Sequence, residues 1–256
     1  MEAVSGTMPD ESHIRLPRMA GSWYPGEPAA LAALLDTCLG EAAPLVPLFP
    51  AATRLAGLVA PHAGYVYSGH CAGYAYASLG TWRPARVVVV APSHREAFAG
   101  VCLWSPEPGQ PAAGAWRTPL GDVEVDLELA CRLREALPGL RCGSVGHGAE
   151  HSLELQLPFL QRALGSFRLL PLVMGDQGPA TVESLAGALA EVLADGEPTL
   201  LVASTDLSHF HGDGTAAALD GRFLRLLESA DGKSLQAGLE AGSAAAGFAG
   251  PGLKPR

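Results

Sequence analysis

The chain has 256 residues, of which 48% are hydrophobic and 17% are charged, a length near the upper limit for one domain. Its formal net charge of −9 predicts that it has no nucleic-acid partner, because phosphate backbones attract basic surfaces. No apolar run approaches the roughly 18 residues of a membrane span, and runs such as 87–91 and 169–174 are only as long as a strand, so we also predict no membrane partner.

The first half of the chain predicts a tail followed by alternating helices and strands. Residues 1–14 are mixed and polar, and we expect a flexible N-terminal tail. A helix with leucines on one face is predicted after Pro28, ending at Gly40. Two apolar strands, 54–60 and 86–91, flank a predicted helix at 69–79. Each strand leads into Ala-Pro, which ends a central strand because proline has no N–H to donate.

The second half continues the alternation and sets the fold class. Asp126 is predicted to cap one helix, and Pro158 to kink another. Strands that are apolar on both faces and alternate with helices are typical of a parallel sheet. We therefore predict an α/β fold, with a single domain over 15–256 and a mainly parallel central sheet with flanking helices. The predicted strands are 98–104, 167–174 and 199–205, and the predicted helices are 126–137, 150–164, 182–193 and 215–229.

Five cysteines are spread along the chain, and no two of them form a C-x-x-C pair. An odd number without such spacing is a poor disulfide framework and a poor zinc site. The first twenty residues contain acidic side chains and no apolar stretch, unlike a signal peptide. We therefore expect free thiols and a cytoplasmic location.

Three of the eight histidines, His62, His94 and His209, stand just beyond the C-terminal ends of predicted strands. Ligands bind at that edge of open α/β sheets because neighbouring loops converge there. A single loop histidine is more often just hydrogen-bonded or solvated, but three at equivalent positions favour a metal or acid–base site. Glu150 and Glu154 share one face of a predicted helix. Their carboxylates could flank a functional site or face solvent, and the sequence leaves both alternatives open.

Five motifs together carry a family resemblance. The chain resembles the Memo family, whose bacterial members are called AmmeMemoRadiSam system protein B, from about Arg15 toward the C-terminal end. The Memo-like domain is thus expected over 15–256. The motifs are PRMAGSWYP at 17–25, APHAGYVYSG at 60–69, APSH at 91–94, EHSLELQLP at 150–158 and STDLSH at 204–209.

This resemblance implies a fold similar to class III extradiol dioxygenases, the ring-cleaving non-haem iron enzymes. It implies that His62 and His94 hold a divalent metal together with a cysteine near the C-terminus. It also implies that His209 is the acid–base residue, and that Asp206 and His151 belong to the same catalytic pocket.

The chain departs from the family pattern at the third metal ligand. An ungapped match places Gly247 at the position of the family cysteine, and no cysteine follows Cys142. A two-histidine site is weak, so water or another side chain, such as His209, His151 or Asp206, would have to contribute. Iron is the first expectation for the metal, with copper and zinc as alternatives. We also expect an altered or truncated C-terminal end.

The main functional hypothesis is a Memo-like protein that uses a divalent metal in redox or oxygenase chemistry. Its partner would be an unknown small molecule or peptide. The family name implies association in one pathway with radical-SAM and AMMECR-domain proteins. The alternatives are a non-catalytic peptide- or protein-binding module that uses the same cleft, and a degenerate copy without the third metal ligand.

Overall fold

The computed structural model describes residues 11–47, 49, 55–229 and 231–238. The chain divides into two compact units, Met1–Thr205 and Asp206–Arg256, and each is described by itself. The expectations for residues 1–10, for Gly247 and for the C-terminal end fall outside the described residues. None of the described helices combines the length and apolar character that crossing a bilayer requires.

A six-stranded sheet is the centre of the first unit. In chain order the helices and strands are β1 (Ile14–Arg15), α1 (Pro28–Ala42), β2 (Gly57–Ala60), α2 (Tyr65–Ala77), β3 (Arg86–Pro92), β4 (Val101–Trp104), β5 (Ala115–Thr118), β6 (Gly121–Glu124), α3 (Leu127–Ala136), β7 (Arg141–Gly143), α4 (Leu157–Leu164), β8 (Arg168–Met174), α5 (Pro179–Val192), β9 (Thr199–Ser204) and α6 (Asp213–Glu228).

The strand order in this sheet is β2-β9-β3-β8-β4-β7, and every neighbouring pair is parallel except β4 with β8. The predicted α/β fold with a mainly parallel sheet is confirmed. A smaller sheet, β1-β5-β6, lies in the same unit. We did not predict β1, β5, β6 or β7, because these segments of two to four residues mix polar and apolar side chains and contain no apolar run.

The central strands are buried on both faces because helices cover each side of the sheet. Val87 and Val89 of β3 join one core cluster with residues of α1, α2 and α4. Val88 points the other way and joins a second cluster with residues of α3 and α5. This alternation is the period of two that a strand imposes. The sheet whose edge precedes His62 and His94 is therefore held between two apolar layers.

Two helix boundaries differ from the prediction for identifiable reasons. Helix α1 continues through Gly40 to Ala42, since one glycine inside a helix costs only about 1 kcal/mol. Pro158 occupies the first turn of α4 and does not kink it, because its missing N–H has no partner to lose there. The segment before α4 forms a short 3-10 turn, Glu154–Gln156. Asp126 caps α3 as predicted by accepting a hydrogen bond from the Leu129 amide at 3.0 Å.

The expected N-terminal tail does not include residues 11–14. Glu11–His13 forms a 3-10 turn, and Ile14 is buried in β1, which pairs with β5. The buried Arg15 follows directly, and its polar contacts fix this segment. A tail was predicted there because those partners lie more than 130 residues away in the sequence.

His147 is a fully buried histidine outside the predicted site. Its Nε2 lies 3.0 Å from the carbonyl oxygen of Cys102, which only accepts, so Nε2 carries the proton. Burial lowers the pKa of His147 from 6.5 to about 3. The folded protein therefore holds this ring neutral, whereas the unfolded chain protonates it below about pH 6.5.

We expect the free energy of unfolding to fall as the pH drops from about 6.5 toward 3, by up to about 1.4 kcal/mol per pH unit from His147 alone. The unfolded state binds the extra proton in this window, so acidification favours unfolding. Urea denaturation at several pH values should show a shallower slope in His147→Gln. His70→Gln, at an exposed histidine, is the control. Equal slopes in His147→Gln and the unmutated protein would contradict the assignment.

Candidate metal centre

Three adjacent strands deliver polar residues to one edge of the six-stranded sheet. His62 lies two residues beyond β2, and His94 lies two residues beyond β3. Strand β9 runs between β2 and β3 and ends at Ser204, which pairs in register with Ala60. Because all three strands are parallel, their carboxyl ends meet at the same edge.

His62, His94 and His151 form a cluster at this edge. One ring nitrogen from each lies within 4.8 Å of the others, the spacing of ligands around a single ion. The ring centroids are 5.1 Å apart for His62 and His94, 5.5 Å for His62 and His151, and 4.6 Å for His94 and His151. His62 and His151 are buried, whereas His94 is partly exposed. The three imidazoles could hold a metal ion.

The buried carboxylate of Glu150 lies against two of these rings and is hydrogen-bonded to the ring of His94. Its Oε1 accepts a hydrogen bond from Nδ1 of His94 at 2.9 Å and lies 3.2 Å from Nδ1 of His151. It also accepts from the backbone amides of His151 and Ser152 at 2.9 and 3.0 Å. The sequence left open whether Glu150 flanks a site or faces solvent. Glu150 is buried, so the second alternative is wrong.

The protonation of Glu150 follows from these contacts. Burial acts to raise its pKa, but hydrogen bonds from the His94 ring, the His94 amide and the Ser152 amide outweigh it. The net effect holds the pKa well below the ordinary range, so Glu150 remains a carboxylate. A carboxylate on Nδ1 of a histidine leaves Nε2 as the metal-binding nitrogen.

A buried ion pair fastens the N-terminal segment to the cluster. Arg15 Nη1 lies 2.6 Å from Glu154 Oε2, and Arg15 Nη2 donates to the backbone oxygen of Glu150 at 2.8 Å. Glu154 also accepts from the Tyr24 hydroxyl and the Met19 amide, both at 2.8 Å. Glu154 is completely buried, so the prediction that its carboxylate could face solvent is also wrong.

Trp23 is the aromatic neighbour of the cluster. Its ring centroid lies 4.3 Å from that of His151, and its carbonyl oxygen accepts from the Tyr65 amide at 2.9 Å. The residue thus pins the N-terminal segment and also covers one side of the histidine cluster.

Asp206 and His209 belong to the second unit. His209 Nε2 lies 3.6 Å from Asp206 Oδ2, and the His209 side chain is half exposed. The cluster of potential metal ligands among the described residues contains neither of them. Their catalytic roles stay predictions from the resemblance.

Sequence reasoning gave no role to Ser204 or Gln156, and it left the role of Glu150 open. Ser204 Oγ lies 2.8 Å from Nδ1 of His62 and 2.8 Å from Nε2 of Gln156. All three residues stand inside the motifs that carry the resemblance, which was the available signal. Polar residues in a motif, next to histidines, are candidates for orienting those histidines.

Known proteins resemble this chain over most of its length. The family model for Memo-like protein matches residues 15–246. A MEMO1 family protein of Methanothermobacter thermautotrophicus is 35% identical over 222 residues, which cover 85% of this chain and 78% of that protein. A MEMO1 family protein of Thermotoga neapolitana is 34% identical over 228 residues, which cover 87% and 80%.

We expect Glu154→Gln to lower the free energy of unfolding by about 3–5 kcal/mol, since it leaves the buried Arg15 guanidinium without its countercharge. Urea denaturation measures the change. The matched control is Asp36→Asn, which breaks the exposed Asp36–Arg162 pair and should cost less than about 1 kcal/mol. A similar decrease in the free energy of unfolding in both variants would show that burial does not make the Arg15–Glu154 pair more important for stability than an exposed pair.

Proposed function

The chain belongs to the Memo family, and we propose, from that membership and the histidine geometry, that it is an enzyme dependent on a divalent metal ion. His62, His94 and His151 would hold the ion. The observation that carries the proposal is the convergence of three imidazoles, each with a polar atom of the protein near Nδ1. Such partners orient metal-binding histidines in proteins.

The donor set fits a transition metal. Three neutral imidazoles suit iron, copper and zinc, whereas magnesium and calcium prefer oxygen. Iron is the first candidate, with copper and zinc as alternatives. His151 provides the third donor that a pair formed by His62 and His94 lacks. The proposed ligand set does not include Gly247, the position matched to the family cysteine.

The chemistry proposed is of the oxygenase or redox type, similar to that of class III extradiol dioxygenases. When bound, the metal supplies Lewis-acid activation and, in the case of iron, redox chemistry with dioxygen. Glu150 accepts hydrogen bonds from the ring of His94 and from the backbone amide of His151, and Trp23 packs against the His151 ring. We assign proton transfer to His209, with Asp206 as its neighbouring carboxylate, on the strength of the resemblance.

A peptide-binding module is the second candidate, and one observation favours it. Val66 and Tyr67, in the first turn of α2 and within the same motif as His62, are 81% and 86% exposed. Exposed apolar side chains next to a polar cluster are typical of protein-binding surfaces. The substrate or partner is thus a small molecule or a peptide. Pathway association with radical-SAM and AMMECR-domain proteins remains a prediction of the resemblance.

We expect the anaerobically purified protein to bind about one equivalent of Fe²⁺ or Co²⁺, because three converging nitrogens form one site. His151→Ala should weaken binding as strongly as His62→Ala does. The control is His70→Ala, at an exposed histidine that pairs with Glu41. Titration followed by Co²⁺ absorption and metal analysis measures the outcome. Metal binding that is unchanged in His62→Ala would overturn the proposal that the protein is a metal-dependent enzyme.

A second measurement separates the enzyme from the binding module. With Fe²⁺-loaded protein and a catechol as the probe, we expect dioxygen consumption that falls by about 10²-fold or more in His209→Ala, since general acid–base catalysis contributes that much. Metal affinity should be retained in this variant. No consumption with the unmutated protein, together with binding of apolar peptides that Tyr67→Ala abolishes, would support the binding module instead.

A further inference from the structure

Behind His62, a chain of hydrogen bonds leads away from the histidine cluster. Ser204 Oγ has three polar neighbours: Nδ1 of His62 at 2.8 Å, Nε2 of Gln156 at 2.8 Å and the backbone oxygen of Ser152 at 2.7 Å. Ser204 and Gln156 are both buried. The directions of these hydrogen bonds follow from which atoms are able to donate.

The orientation of the Gln156 carboxamide is fixed by backbone carbonyls. One end of the carboxamide lies 3.0 Å from the oxygen of Pro61 and 3.4 Å from that of Ser152. Carbonyl oxygens only accept, so this end is the NH₂ group. The other end accepts from the Tyr76 hydroxyl at 2.6 Å. Gln156 therefore donates to Ser204 Oγ.

The Ser204 hydroxyl has a single proton, and the carbonyl of Ser152 receives it. If the proton pointed at His62 instead, two acceptor oxygens, Ser204 Oγ and Ser152 O, would face each other at 2.7 Å. Ser204 Oγ can then only accept from His62. Nδ1 of His62 must carry the proton, and in the neutral ring Nε2 has the lone pair.

We propose that Ser204 and Gln156 are positioning residues that fix His62 as the Nδ1–H tautomer. In this tautomer the lone pair of the neutral ring is on Nε2, the nitrogen that would bind a metal ion. The use of that lone pair rests on the proposed function, but the tautomer itself does not. An Nε2–H ring cannot bind a metal through that nitrogen without first losing the proton.

The group near Nδ1 differs among the three histidine rings. His94 and His151 have the Glu150 carboxylate near Nδ1, whereas His62 has a neutral hydroxyl. A carboxylate imposes the Nδ1–H form because it has no proton to give. A hydroxyl can donate or accept, so it imposes that form only if its own proton is committed elsewhere. Here the Ser152 carbonyl accepts the proton of the Ser204 hydroxyl, and Gln156 donates to its oxygen.

The test is the tautomer of His62 in the metal-free protein. Long-range ¹H–¹⁵N spectra of ¹⁵N-histidine-labelled protein at pH 8 distinguish protonated from unprotonated ring nitrogens, and His62→Gln assigns the signals. We expect a protonated Nδ1 and an unprotonated Nε2. The reverse pattern, or an even mixture of tautomers, would overturn the proposal without any variant being needed.

Ser204→Ala should allow the Nε2–H tautomer to appear and lower Co²⁺ affinity by about 10–100-fold. Ser204→Thr keeps the hydroxyl and should restore both properties. The control is Ser78→Ala, which removes a serine hydroxyl that donates to the Ala75 carbonyl oxygen at 2.6 Å, away from the three histidines. An unchanged tautomer and affinity in Ser204→Ala would overturn the positioning role.

Failure of the proposed function is separable from failure of this proposal. If the unmutated protein binds no Co²⁺, the metal site is wrong, while the spectra of the metal-free protein still decide the tautomer. If Ser204→Ala does not fold, the spectra of the unmutated protein and Ser204→Thr decide it. Loss of the Nδ1–H form in Ser204→Thr would then count against the proposal.

Discussion

The burial of two carboxylates, Glu150 and Glu154, is the constraint on which the candidate site depends. A buried charge costs several kcal/mol unless it is paired and hydrogen-bonded. Glu154 finds its countercharge in Arg15, which also donates to the backbone of Glu150. The segment that contains His151 therefore has its observed place only when the N-terminal segment is docked against it.

This docking explains how a short irregular segment presents a histidine beside two others. His62 and His94 follow strands that are clamped between two apolar layers, so their positions come from the sheet. His151 lies outside any strand or helix, and polar contacts of its neighbours Glu150 and Ser152 hold it. The site thus combines a rigid sheet edge with a segment fixed by buried polar groups.

The nature of the third donor affects which chemistry the site favours. The resemblance implies a cysteine thiolate as the family's third ligand, whereas the described cluster offers a third imidazole. Nitrogen is less soft than sulfur, so a three-imidazole site does not select for Cu(I) as a thiolate would. It also carries no negative charge of its own, so the nearby Glu150 carboxylate would be the group that balances the charge of a bound metal ion.

By itself, the sequence determined the α/β class, the mainly parallel sheet and the placement of His62 and His94 beyond strand ends. These features depend on local hydrophobic periods and on proline and glycine positions, which a single segment displays. It also predicted the cap at Asp126 correctly. The short strands β1, β5, β6 and β7, and the beginning of α4 at Leu157, were not predicted from those periods.

Only the tertiary structure decided which polar residues complete the site. Glu150 meets His94 across 56 residues of sequence, and Ser204 meets His62 across 142. A glutamate spaced for a helix face looks solvated in the sequence, because nothing local reveals that Arg15 will arrive to pair with its neighbour Glu154. Hydrogen-bond direction requires all partners at once, so the tautomer of His62 becomes visible only when Pro61, Ser152 and Gln156 surround it.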